Sequence, residues 1–297
     1  MTRNRWQFIV GLMTVMAGLC ISSCEKVVLD EETAQQETQK GNVTIRASLF
    51  QVVPFSDTRA ARNITDYASK LSFVIYKNGE KMIAVNQKRG DVDYGQASMN
   101  LQAGEYQLLI LAHSSPYGTP TLTNPEAINF TNKDTGYSDT FYYYGTLSVT
   151  GGEQTVDLQL QRATSMLSIT INDELPAELS HILVQYEGES GVFDATTGYG
   201  GTVNSKQYVN FNVEGMKAPL TLRVYTFLRD DIGNLKSVNI IATDVEEARL
   251  AQVELTNVPM HHQMVTEYSG MLFTPMGGLN FNLTAETSWE VYGQYTF

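Results

Sequence analysis

Thiols are nearly absent from this chain. Its 297 residues include two cysteines, Cys20 and Cys24, both close to the start. If the segment ahead of Cys24 is removed and Cys24 is used elsewhere, none remains for a disulfide, a zinc cluster or catalysis. An exported chain without disulfides must be held together by its core. Histidine is scarce too: His113, His181, His261 and His262. The adjacent pair His261-His262 points to opposite faces of a strand and cannot easily share a metal. There is no His-Glu-x-x-His pattern and no Gly-x-Ser-x-Gly elbow around Ser269-Gly270. No glycine-rich phosphate loop opens a helix. No cofactor, metal ligand or catalytic residue is therefore expected, and the chain is not expected to be an enzyme. Basic charge is in deficit, with 20 Lys and Arg against 32 Asp and Glu. An acidic surface does not attract nucleic acid or anionic lipid, so no nucleic-acid partner is expected. Long amphipathic helices are missing. The best candidate, Asp244 to Leu250, makes about two turns and serves at most as a connector.

What is present begins with Arg3 and Arg5 and an apolar run from Phe8 to Leu19. The run falls short of the about 20 residues that a spanning helix needs. A charged start and a short apolar run have the form of a secretory signal. Its end, Ile21-Ser22-Ser23-Cys24, resembles a bacterial lipobox. That resemblance implies removal of residues 1–23 and acylation of Cys24, which would tie the chain to the outer membrane; more than one acyl chain is needed to hold it there. The other reading is an ordinary cleaved signal with an incidental cysteine. After cleavage the net charge is −14, from 18 basic and 32 acidic residues. Residues 24–41 are polar and acidic, which describes a tether. Their cluster Asp30-Glu31-Glu32 is loosely similar to surface-export signals of Bacteroidota lipoproteins.

From Asn42 the apolar period becomes two. Val43, Ile45, Ala47 and Leu49 alternate with polar residues, the mark of a half-buried strand. Lys77-Asn78-Gly79-Glu80 between apolar runs predicts a hairpin, because Asn and Gly accept positive φ. Tyr106 to Ala112 is continuously apolar and predicts a central strand covered on both faces. Ser114–Thr140 reads as a long loop, and residues 187–207 as a loop rich in Gly, Ser and Thr. Val156, Leu158 and Leu160 alternate again. Beyond Arg162-Ala163-Thr164 the pattern restarts with Leu167, Ile169 and Ile171. Three strand-like pieces close the chain: Thr266–Phe273, Gly278–Thr284 and Ser288–Phe297. Repeated strands without helices between them predict an all-β chain of two tandem β-sandwich domains, 42–161 and 162–297.

The order and spacing of three stretches resemble a known family. They are Lys70–Tyr76 with the later Ala103-Gly104-Glu105-Tyr106 turn; Leu160–Ile169; and Asn257-Val258-Pro259 followed by Tyr268–Phe273 and Trp289. Together with the lipobox and tether they look like the FimB-type fimbrillin-associated subunits of Bacteroidales type V pili. The resemblance implies a transthyretin-like sandwich in each half. It also implies a surface-exposed outer-membrane lipoprotein of the fimbrium, an anchor or accessory subunit whose partners are other fimbrial subunits. Assembly in that family works by strand addition at a sheet edge. Some pilin relatives are cut by an arginine-specific protease after the first strand, and Arg59 and Arg62 stand in a fitting loop; a plain solvated loop is the alternative. The last stretch alternates Trp289, Val291, Tyr295 and Phe297. It is either a strand donor to a neighbour or the last strand of its own domain. Phe141-Tyr142-Tyr143-Tyr144 is the most site-like cluster. It suits a second reading, a surface glycan-binding lipoprotein of Sus type, unless it is simply an aromatic strand with Tyr142 and Tyr144 on one face.

Overall fold

Why the chain becomes a sheet protein is clearest in its central strands, whose β-branched and aromatic residues fit a pleated, buried surface. The structure, a computed structural model, describes residues 41–49, 64–116, 120–130, 136–202, 206–274 and 291–296, with the backbone alone at Leu49 and 291–296. In chain order the elements are β1 (Val43–Leu49), α1 (Ile64–Tyr67), β2 (Lys70–Lys77), β3 (Glu80–Lys88), β4 (Gln96–Met99), β5 (Gly104–His113), β6 (Ile128–Asn129), β7 (Phe141–Val149) and β8 (Gln154–Arg162). There follow β9 (Ser165–Ile171), β10 (His181–Glu187), β11 (Val192–Asp194), β12 (Tyr199–Gly200), β13 (Gln207–Asn212), β14 (Leu220–Thr226), β15 (Ile232–Thr243), β16 (Arg249–His261), β17 (Val265–Gly270) and β18 (Val291–Thr296). The chain is all-β.

In the first half the strand order is β3-β2-β5-β7-β8-β1-β4. β7 and β8 pair only at Phe141↔Arg162 and Tyr142↔Gln161, so the sheet folds over there into two layers. Val43, Ile45, Ala97 and Met99 of one layer pack on Leu71, Phe73, Ile75, Leu108 and Ile110 of the other. Burying each of the larger ones stabilises the fold by about 1.5–3 kcal/mol. In the second half β13-β10-β15-β16 faces β14-β9-β17-β18. Leu167, Ile169, Leu222 and Val224 there meet Ile182, Val184, Val238 and Ile240.

The two halves repeat one topology. β1 lies between antiparallel β4 and parallel β8, and β9 lies between antiparallel β14 and parallel β17. In the facing layers β3-β2-β5-β7 corresponds to β13-β10-β15-β16. Only β18 in these layers lacks a counterpart among the described residues of the first half.

The hairpin at Asn78-Gly79 forms as the sequence predicts, with φ of 54° and 81°. The run Tyr106–Ala112 is covered on both faces: Leu108 and Ile110 enter the first core, while Leu109 and Leu111 enter a third cluster. That cluster holds Val74, Tyr76, Tyr142, Phe193 and Phe227, and it unites the halves. Phe227 stacks on Phe193 at 5.2 Å and on Phe130 at 5.4 Å. The stretches read as loops contribute here. β6, from Ser114–Thr140, pairs with β11, and β11 pairs with β12, both from 187–207. Those loops escape a period-two reading because their strands span only two or three residues. Asp244–Leu250 is not helical. The Asp244 carboxylate accepts from Glu246 N at 2.9 Å and Ala248 N at 2.8 Å, closing a turn, and β16 starts at Arg249. An Asp side chain that bonds nearby amides competes with helix formation. Lys40–Phe297 make one compact unit.

Candidate strand-exchange surface

Strands near the two ends of the sequence occupy different kinds of place. β1 is internal. Seven of its residues pair with β8, from Val43↔Gln154 to Leu49↔Leu160, and four with β4. Val43 and Ile45 are fully buried. Asn42 clamps the entry: its Nδ2 donates to Leu101 O at 2.8 Å and its Oδ1 accepts from Leu101 N at 2.9 Å. Removing β1 would uncover backbone groups on both neighbours and a slot in the core. Among the described residues β18 lies at the edge of its sheet, parallel to β17, in the register Val265↔Val291, Glu267↔Gln294, Tyr268↔Tyr295 and Ser269↔Thr296. Val291 and Tyr295 therefore belong to the second half's own sheet. Cys24, Arg59, Arg62, Trp289 and Phe297 lie outside the described residues, as does the piece Gly278–Thr284.

The exit of β17 is held firmly. The buried Asp173 carboxylate accepts from Leu272 N at 2.9 Å, Phe273 N at 2.6 Å and Thr274 N at 2.8 Å. Sequence reading missed this clamp, since an Asp in a turn has no special signal. It also missed the joint at 162–164. There Arg162 makes a two-pronged pair with Asp139, both N···O at 2.9 Å, and packs over the Phe141 ring. The Thr164 hydroxyl donates to Asp139 at 3.1 Å, and Gln263 Nε2 donates to Arg162 O at 2.7 Å. Paired charges 23 residues apart tie the end of β8 to the loop before β7.

The aromatic stretch is structural. Phe141 and Tyr143 belong to the first core, Tyr142 and Tyr144 to the cluster between the halves. Tyr142 is 5 % exposed, and its hydroxyl accepts from Gln161 Nε2 at 2.6 Å. Burial pushes its pKa up. A ring so placed has no face for a sugar; Tyr144, the other residue of the glycan reading, is half-buried against the same cluster. His262 stacks on Tyr199 at 4.4 Å, and burial lowers its pKa. Among the described residues no three His, Cys, Asp or Glu gather as a metal site would need. Among them, too, no helix is long and apolar enough to cross a membrane.

Fold and geometry define an all-β chain with two like-ordered sandwich layers and, among the described residues, an edge strand contributed from near its C-terminus. The chain belongs to a family of unknown function, DUF6562, whose pattern matches residues 34–293. No curated protein matches it. Among solved structures it is similar to a protein of Bacteroides ovatus provisionally described as a cell adhesion protein, at 14% identity and a TM-score of 0.48, covering 78% of this chain and 94% of that one. It is similar to a fimbrial assembly protein from Parabacteroides distasonis, at 11% identity and a TM-score of 0.42, covering 77% and 90%. It is also similar to the fimbrial anchor protein Mfa2 from Porphyromonas gingivalis, at 10% identity and a TM-score of 0.40, covering 73% and 82%. At these identities and scores function does not pass from one chain to another, so the functional reading rests on this chain's own residues.

Proposed function

We propose that this chain is an outer-membrane fimbrial subunit, an anchor or accessory member of a type V pilus. It works by assembly and not by catalysis. Acyl chains on Cys24 hold its base to the membrane, the acidic stretch 24–41 spaces it from the surface, and strand addition joins it to other subunits. The observation that carries the reading is the placement of the terminal strands. β1 fills an internal slot between β8 and β4, directly ahead of the segment bearing Arg59 and Arg62. Among the described residues β18 sits on a sheet edge. An internal strand whose removal opens a slot, together with a strand at a sheet edge, suits a chain that joins neighbours through backbone ladders.

The test uses protein isolated from its host. Mass and N-terminal analysis should find an acylated Cys24, and Cys24→Ala should move the protein out of the membrane fraction. It should also co-purify with pilus polymer. An intact chain beyond Cys24 assigns the anchor role; a new N-terminus at Ala60 or Asn63 assigns a polymerising role. A bare Cys24 thiol in membrane-bound protein would refute the anchoring step.

A further inference from the structure

We infer that the outer face of the sheet β13-β10-β15-β16 carries a cleft that binds a neutral oligosaccharide, with one sugar ring among Gln185, Ser237, Asn239 and Glu254 and the next against the Tyr208 ring. The inference goes beyond the assembly reading, because strand addition uses sheet edges and this cleft lies on a sheet face. It starts from the period of two. Val184, Tyr186, Val238, Ile240 and Leu255 point into the core of the second half. Gln185, Glu187, Ser237, Asn239 and Glu254 therefore turn outward. The register gathers them. Gln185 lies opposite Asn239, and Glu187 opposite Ser237, across β10 and β15. Asn239 lies opposite Glu254 across β15 and β16. With Lys206 they line a cleft of about 260 Å³. Pockets that enclose a drug-sized ligand hold about 300–1,000 Å³. This one takes a single ring and leaves the rest of a sugar chain outside.

Charge and hydrogen bonding select the ligand. Glu187 is paired with Lys236, its Oε1 3.3 Å from the ammonium nitrogen. Glu254 shares the cleft with Lys206. The charges cancel, so neither an anion nor a cation finds a counter-charge to spare. The chain's excess of 32 acidic over 20 basic residues further repels an anionic glycan. Hydrogen-bonding capacity, by contrast, is unspent. Asn239 Oδ1 accepts from Gln252 Nε2 at 3.4 Å, which leaves both Nδ2 hydrogens for a ligand. The side chains of Gln185, Ser237 and Glu254 bond to no other described residue. Neighbouring sugar hydroxyls, each both donor and acceptor, need such a mixed set. Apolar surface lies beside it. Tyr208 stands on the same face, directly opposite Gln185 across β13 and β10, and is 41 % exposed. Its open ring offers a π face to the C–H side of a sugar. One row along, Leu183 and Ile241 are paired, outward and half-buried. Tyr208 and Asn239 are two strand spacings apart, about 10 Å, a span that two linked rings bridge.

Titration of the full chain with maltohexaose, mannopentaose, chitotetraose and galactotetraose tests this. At least one of them should saturate a single site per chain with a Kd below about 1 mM, and tetragalacturonate should not bind. Amide shifts in the NMR spectrum should fall on residues 183–187, 206–210, 237–241 and 252–254. Tyr208→Ala and Asn239→Ala should each weaken binding about tenfold with an unchanged thermal melt, whereas Tyr142→Phe should leave binding as it was. Should either weakening variant not fold, the shift map of the parent chain decides. Three results each overturn the site: no saturable binding of any neutral oligosaccharide, a preference for tetragalacturonate, or shifts that map away from these strands. None of them touches the fimbrial reading, which the Cys24 and pilus co-purification tests decide separately.

Discussion

His113 has a fully buried ring at the end of β5. Its Nδ1 accepts from Ser115 N at 3.3 Å, and its edge meets Phe130 at 5.6 Å. Lys70 lies nearby, its ammonium donating to Ser115 O at 2.7 Å. Burial, then the Lys70 charge, lower the imidazole pKa from 6.5 to about 4. A base with a depressed folded pKa is protonated first in the unfolded chain. Stability is therefore full above pH 6.5 and falls as pH drops towards 4. Urea unfolding at pH 7 and pH 4 should show the parent losing about 3 kcal/mol more than His113→Leu. Asp139 carries a second prediction. Asp139→Asn leaves Arg162 buried without its counter-charge and should cost about 3–5 kcal/mol. A double change with Arg162→Met should recover part of that loss; if it does not, the pair is not the cause.

At the scale of elements, the β2–β3 turn isolates a backbone effect. Nothing lies within 4 Å of a Cβ built on Gly79, whose φ is +81°. Gly79→Ala should therefore cost only the left-handed strain, about 1–2 kcal/mol, without loss of core packing. In β1, Ile45 is fully buried between the layers. Ile45→Ala should cost about 2–5 kcal/mol, and equilibrium unfolding distinguishes the two sizes. The turn was legible in Asn78-Gly79 because those residues alone carry its geometry. The burial of Ile45 was legible in the alternation from Val43. Asp244–Leu250 misled because its apolar spacing allows a helix, while the Asp244 side chain closes a turn first.

For the molecule as a whole, the aromatic cluster around Phe227 couples the halves. Phe227 is fully buried against Phe130, Tyr137 and Phe193. Calorimetry should find one unfolding transition in the parent chain. Phe227→Ala, at a cost of about 3–5 kcal/mol, should separate it into two, because each half keeps its own core. A single transition in the variant would show that the Arg162 joint suffices to couple them.

By itself the sequence determined that this is an all-β chain and that β5 is buried on both faces. Each of these leaves a mark in the side chains, as a period of two or as its absence in Tyr106–Ala112. Only the tertiary structure decided which strands are neighbours. Val156 meets Ile45 across more than a hundred residues, and that pairing is made by backbone groups common to every residue. Thr155, Asp157 and Gln159 read like any solvated strand face until the neighbours of β8 are placed in space.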